Sequence, residues 1–511
     1  MASQNRGGRS LLAKNSVLNL FGLILPMLVG LFTIPYIVRG LGSDGYGILS
    51  IAFMVLGYFG IFDLGLGRAT VKFVAAHLSP DQVHKVPELV WTSLFLLVML
   101  GCAGGALLAA FVPMAVTHWF KMPPSFVGQA RLALYILAAS MPVLLSNDAL
   151  RGILEAAQRF DLVNCVKVPG SILFYLIAAL AIPFGIHVPG IVFLLVLVRL
   201  STSYAYLILC LRVFPGLCGR IHISRESARP LAAFGGWIMI SNITGPIFGG
   251  IERFMIASFL SVGLLTYYSV PFDLVSKFLV FPGSIVPALF PYFSYHGIKG
   301  SAAVSDVTSR SIKYLLLVMA PVTAAFIFFA KDILQFWVGS QFASQSTVVM
   351  QLTAVLTFFN CFAYIPFTSV QALGRPDLKA ILDVVTLPIY AFCSWWLMCR
   401  MGLNGAALAR LLVTILDCGV LFACARWLKA FRVRDLMSGL LFHALVASAG
   451  LFLCVYLIHS LHSKMFLSCI LLAACCIAYA GTFWVTATDC EERTVVKSLL
   501  PTLLLKRAFS S

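Results

Sequence analysis

About fourteen apolar runs fix what this chain can fold into, because a helix needs about 20 apolar residues to cross the hydrocarbon core of a bilayer. They lie at roughly 16–38, 45–66, 88–112, 128–150, 162–184, 188–211, 231–258, 264–292, 312–334, 347–370, 378–400, 403–424, 437–459 and 465–487. Hydrophobic residues make up 60% of the 511 and charged residues only 11%, whereas a soluble domain carries about 25% charged residues. No water-soluble core has interior enough for that much apolar surface. A closed β-barrel would show alternating segments of about 10 residues, and the sequence lacks them. The fold expected is an all-α polytopic membrane protein with about 14 transmembrane helices.

A formal charge of +17 would suggest nucleic acid in a soluble chain. Here the Lys and Arg residues fall in small clusters between apolar runs, so nucleic acid is excluded as a partner. Alternate loops and tails carry about 25 basic residues on one side and about 5 on the other. The basic side holds Arg6, Arg9 and Lys14, then Arg212, Arg220, Arg225 and Arg229, then Arg426, Lys429, Arg432 and Arg434. The positive-inside rule therefore puts both termini in the cytoplasm. The opening MASQNRGGRSLLAK runs into a stretch long enough to span, so the first helix reads as retained. Fourteen cysteines sit mostly inside apolar runs, with no CxxC pair and no Cys/His ligand spacing, and no metal or cofactor is expected.

The segment IFDLGLGRATVKF carries Asp63, Gly65, Gly67, Arg68 and Lys72. Its glycines hint at a phosphate loop, but a dinucleotide fingerprint needs a preceding strand and a full GxGxxG. At 1.5 Å per residue, Asp63 lies about 27 Å along the second span, at the cytoplasmic interface. The segment is a membrane exit.

Two halves of the chain echo each other. LLVM recurs after 96–99 at 316–319, QRFDL at 158–162 resembles GRPDL at 374–378, and GIHVPG at 185–190 parallels GLNG at 402–405. Tyr46 falls near Tyr267 in a weaker match. The order is constant and the offset nearly so, which indicates duplication. Six spans per unit make the repeat parallel, with a cleft expected between two six-helix lobes. The expected division is an N-lobe over 1–211, a basic cytoplasmic linker over 212–230 and a C-lobe over 231–425. A second basic linker over 426–436, two C-terminal helices over 437–487 and a cytoplasmic tail over 488–511 follow.

NSVLNLFG after a polar tail, GLGSDGYGILS, FDLGLGRATVKF, RGILEAAQRFDLVN, FPGSIVPALFPYFS and QALGRPDLKA together resemble the polysaccharide biosynthesis flippase family. The branch is the O-antigen (Wzx-type) one of the multidrug/oligosaccharidyl-lipid/polysaccharide exporter superfamily, and the resemblance covers roughly residues 11–425. It implies a flippase that moves an undecaprenyl-pyrophosphate-linked oligosaccharide from the cytoplasmic to the periplasmic leaflet by alternating access. The implied location is the bacterial cytoplasmic (inner) membrane. The implied partners are the lipid-linked oligosaccharide, membrane lipids, H+ or Na+, and polysaccharide assembly proteins. The cavity arginines of lipid II flippases match no motif position here and are not carried over.

Ionisable groups deep in a span cost about 2.5–3.5 kcal/mol each on insertion scales. Asp148, Arg151, Glu155 and Lys167 fall near the inner interface, and Glu252 and Arg253 near the outer edge, where they are expected to anchor. Arg199 lies mid-span beside Ser201, Thr202 and Ser203. Asp273 and Lys277 are four residues apart, and Arg410, Thr414 and Asp417 follow i, i+4, i+7, each set on one helical face. Either these groups pair between helices, or Arg199, Lys277 and Arg410 line a cavity and attract a pyrophosphate. Asp273 and Asp417 are then candidates for a coupling ion or for charge pairing. Pro26 and Pro35 in the first span, and Pro282, Pro287 and Pro291 in the eighth, are candidate kinks.

The alternatives are a multidrug or cation antiporter of the same fold, which favours acids at depth, and a membrane polysaccharide polymerase or ligase. An enzyme needs a large outer loop or clustered acids and histidines. The outer loops are short and the nine histidines are scattered, so the expectation is no enzyme.

Overall fold

The computed structural model describes residues 2–63, 65–78, 81–219, 221–297, 301–428, 440–460 and 465–488. The second basic linker lies mostly outside them, as do residues 489–511 of the tail and Arg220 of the first linker.

The described residues are helices and turns. In chain order the helices are α1 (Ala2–Phe62), α2 (Leu66–Ala76), α3 (Val86–Met114), α4 (Pro124–Ala156), α5 (Phe160–Ala181) and α6 (Val188–Val213). Next come α7 (Arg225–Met255), α8 (Val262–Ser276), α9 (Val280–Gly297), α10 (Ser301–Phe328) and α11 (Ala330–Trp337). The last are α12 (Ser340–Ala372), α13 (Pro376–Met401), α14 (Leu403–Trp427), α15 (Leu440–Ser460) and α16 (Met465–Thr486). Eleven helical stretches among the described residues are long and apolar enough to cross a membrane. The expected first and second spans both lie on α1, divided where Gly42 leaves helical geometry at φ 71°, a left-handed conformation that glycine adopts without a Cβ penalty.

The chain forms two compact units, Met1–Val270 and Pro271–Ser511. In the first, α3 packs on α4, α4 on α6, and α5 on α6 and α1, while α2 lies against α3 and α4. In the second, α10 packs on α12, α12 on α14, α13 on α14, and α9 on α10 and α12. The same sequence of partners occurs twice.

The offset is tight. Both α4 and α12 have 33 residues, starting at 124 and 340, a spacing of 216. Helices α5 and α13 start at 160 and 376, again 216 apart. Both 33-residue helices end in the same 6→1 turn: Arg159 N donates to Leu154 O (2.9 Å) and Arg375 N to Val370 O (3.1 Å). The left-handed position is Gln158 (φ 57°) in one and Gly374 (φ 80°) in the other, the C-terminal motif that satisfies orphan carbonyls. Each turn is followed by a bidentate clasp. Arg159 donates to both Asp161 oxygens at 3.0 Å, and Arg375 donates to Asp377 at 3.0 and 2.9 Å. These pairs raise the Arg159 and Arg375 guanidinium pKa values.

The compact units divide at residue 270, whereas the sequence places the lobe boundary in the 212–230 linker. Hydrogen bonds account for the difference. Trp91 Nε1 donates to Leu217 O (3.2 Å), Ser224 N to Thr92 Oγ1 (3.1 Å) and Ser227 Oγ to Glu88 Oε1 (2.7 Å). They tie the linker and the start of α7 to α3. The far end of α7 and the start of α8 dock too: Thr266 Oγ1 donates to Ser43 O (2.6 Å), and a Cβ on Gly47 would stand 2.0 Å from Val262 O.

The two C-terminal helices join the second unit. Leu441, Ala444, Leu451 and Val455 of α15 share a core with Leu316, Ala320 and Ala324 of α10. The Tyr479 hydroxyl of α16 donates to Leu316 O (3.2 Å) and lies 2.9 Å from Ser448 Oγ. Burial of these aliphatic side chains against lipid gains packing contacts more than hydrophobic free energy.

Candidate functional site

Arg199 is the twelfth residue of α6, about 17 Å from the helix start at 1.5 Å per residue. Proline at the first turn and an unbroken aliphatic run favour the helix there. Phe193, Leu197, Ser201 and Tyr204 form its exposed stripe. The opposite face is packed, with Val192, Leu195, Val196, Ser203 and Tyr206 buried. Arg199 rises from that packed face and is nevertheless exposed. Its guanidinium carbon stands 5.3 Å from the Phe174 ring of α5, whose ring is in turn 5.3 Å from Phe53. Beside it the Ser203 hydroxyl donates to Asn147 Oδ1 at 3.0 Å, and Thr202 Oγ1 donates to Arg199 O at 2.8 Å. Helices α5 and α6 approach closely here, since a Cβ on Gly170 would lie 2.6 Å from Thr202 Cγ2. The local result is a small group of polar side chains within an apolar bundle.

In the second unit Arg410 stands 5.3 Å from the Tyr390 ring of α13. Thr414 Oγ1 donates to Arg410 O at 2.9 Å. Asp417 lies 3.6 Å from Lys379 Nζ, and Lys379 also bonds Asp383 one turn along α13. The side chains of Lys379, Asp383 and Asp417 are 24%, 16% and 18% exposed, enough desolvation to make the pairing matter. Two cations and two carboxylates thus sit together. Lys379 and Asp383 were not singled out in the sequence, although LKAILD shows them as an i, i+4 pair.

The structure brings Arg410 and Asp417 into one cluster and places Arg199 in the other unit. Asp273 and Lys277 stand half-buried at the α8–α9 junction. There Lys277 opens a 3-10 turn, Lys277–Leu279, in place of the continuous helix expected. Phe278 anchors that turn edge-on to Phe326 of α10 at 5.5 Å. Glu252, expected to anchor at an interface, is fully buried and accepts from the Tyr268 hydroxyl at 3.5 Å. Asp63 caps its own turn: Gly65 N donates to Asp63 Oδ1 at 2.7 Å, and α2 begins at Leu66. Among the described residues no group of three His, Cys, Asp or Glu is disposed to hold a metal.

The protein family described as "Polysaccharide biosynthesis protein" matches residues 12–296. The chain belongs to that family. A curated relative of this family member, the "Putative O-antigen transporter" of Shigella flexneri, is 29% identical over 413 residues, covering 79% of this chain and 95% of that protein. The "Probable low-salt glycan biosynthesis flippase Agl15" of Haloferax volcanii is 24% identical over 187 residues, covering 36% of this chain and 39% of that one. Among solved structures, lipid II flippase MurJ in its inward closed conformation aligns with a TM-score of 0.73 at 14% identity, covering 92% of this chain and 99% of MurJ. An inward-facing multidrug transporter of the MATE family, in the MOP superfamily, aligns at 0.69 with 15% identity, covering 81% and 98%. At such identities the two structures show the fold alone. This family member is a multi-pass, all-α protein of the superfamily fold.

Proposed function

We propose that this polysaccharide biosynthesis family member is a flippase for a lipid-linked oligosaccharide. It carries an undecaprenyl-pyrophosphate-linked glycan from the cytoplasmic to the periplasmic leaflet of the bacterial inner membrane by alternating access of its two lobes. The observation that carries this reading is the similarity to a putative O-antigen transporter along nearly that protein's whole length. The repeated architecture supports it, because helical units with matching internal packing suit rocking motions. Cations at depth suit an anionic head group: Arg199, Lys277 and Arg410 are the residues proposed to attract the pyrophosphate. Asp273 and Asp417 are the proposed charge partners or sites for H+ or Na+.

Transport of this kind makes and breaks no covalent bond, so no catalytic residue is assigned. Depleting the protein in its host and locating the lipid-linked repeat units tests the reading. They are expected to accumulate on the cytoplasmic leaflet while surface polysaccharide falls. Unchanged surface polysaccharide under full depletion would defeat the proposal.

A further inference from the structure

The rings beneath the two arginines are repeat equivalents: Phe174 and Tyr390 stand 216 residues apart, the spacing that relates α4 to α12 and α5 to α13. The arginines themselves are not. A start at 188 against 403 pairs residue 199 with Thr414, four residues beyond Arg410. Two different helical positions thus deliver a guanidinium to repeat-equivalent rings at the same 5.3 Å.

Their surroundings differ in one decisive respect. Arg410 belongs to a cluster with Lys379, Asp383 and Asp417 whose formal charges cancel. Arg199 has the Phe174 ring on one face and, among the described residues, no carboxylate within ion-pairing distance. The position of Asp383 is held in the first unit by Lys167, 216 residues earlier, so the acid is replaced by a second base. A ring against a guanidinium covers its face and leaves the N–H edge directed outward. That edge matches two oxygens of a phosphoryl group.

Resting on the flippase reading, we infer that Arg199 is the primary phosphoryl-docking group of this protein and that Phe174 is its positioning residue, whereas Arg410 on Tyr390 is already charge-balanced by its own cluster and has the weaker hold on the anion. The chemical class taken is a polyprenyl phosphate or pyrophosphate. Thr202, the half-buried hydroxyl three residues along α6, is the neutral polar neighbour of this edge.

The test is binding of undecaprenyl pyrophosphate, with undecaprenol as the neutral control, to the full chain in nanodiscs. Wild type is expected to prefer the pyrophosphate. Arg199→Gln should lose about tenfold or more of that preference, the scale of a charge-assisted hydrogen bond, and Arg199→Lys should retain part of it. Phe174→Leu should weaken binding several-fold while Phe174→Tyr restores it, and Arg410→Gln should cost less of the preference than Arg199→Gln. A preference indifferent to Arg199→Gln, or equal in Phe174→Leu and Phe174→Tyr, overturns this assignment alone. Wild type treating pyrophosphate and alcohol alike overturns the flippase reading with it.

Discussion

Gln158 shows how much one residue reveals. It is the only non-glycine residue with positive φ among those described, and its repeat partner is Gly374. An L-residue in the left-handed region costs roughly 1–2 kcal/mol, offset in part by the larger unfolded-chain entropy of glycine. Gln158→Gly should therefore stabilise the folded protein by about 0.5–1 kcal/mol, seen as a raised midpoint of thermal unfolding in detergent. Gly374→Ala should lower it by about 1 kcal/mol, because the dihedral and not the space is at fault: no atom lies within 4 Å of the added Cβ. The pairs Arg159/Arg375 and Asp161/Asp377 were legible in the sequence because polar residues stand out against an apolar background. Phe174 and Tyr390 were not, since SILFYLIAAL and LPIYAFCSWW offer many aromatic alternatives and only a shared backbone frame selects one from each.

Helices α13 and α14 carry the arrangement that sequence patterns reached only in part. The spacing of Arg410, Thr414 and Asp417 puts them on one face of α14, but what that face meets depends on α13. Their close approach is set at Gly405, where a Cβ would stand 2.0 Å from Leu397 O. Gly405→Ala should destabilise by about 1–3 kcal/mol through overpacking, measured as lost monodisperse protein on heating. Removing Lys379 alone strands two largely desolvated carboxylates. In a double-mutant cycle of Lys379→Met with Asp417→Asn, the single lysine change should cost more than the pair together, with a coupling of about 1–2 kcal/mol. Additive costs would mean that the 3.6 Å separation carries no energy. The compact-unit boundary at residue 270 was not legible for a similar reason: a basic linker reads as a separator, while the bonds from Trp91, Thr92 and Glu88 that hold it are scattered along another helix.

At the scale of the whole molecule, direction of transport depends on which way the repeat units are inserted. Helix α6 has 26 residues, about 39 Å at 1.5 Å per residue, and so makes one full crossing. Its two flanks must therefore face opposite compartments. Gly185 is an exposed turn at φ 70° on one flank, and Cys218 is exposed in the turn Pro215–Cys218 on the other. Arg212, Arg220, Arg225 and Arg229 crowd the second flank, while the turn at the first holds no Lys or Arg. Retention of basic loops in the cytoplasm then assigns Cys218 to the inside and Gly185 to the outside. In a variant stripped of its other cysteines, a membrane-impermeant maleimide should label Gly185→Cys in intact cells and Cys218 only after permeabilisation. The reverse labelling would place the basic clusters outside and require the proposed cargo to move toward the cytoplasm, which a polysaccharide export step cannot use.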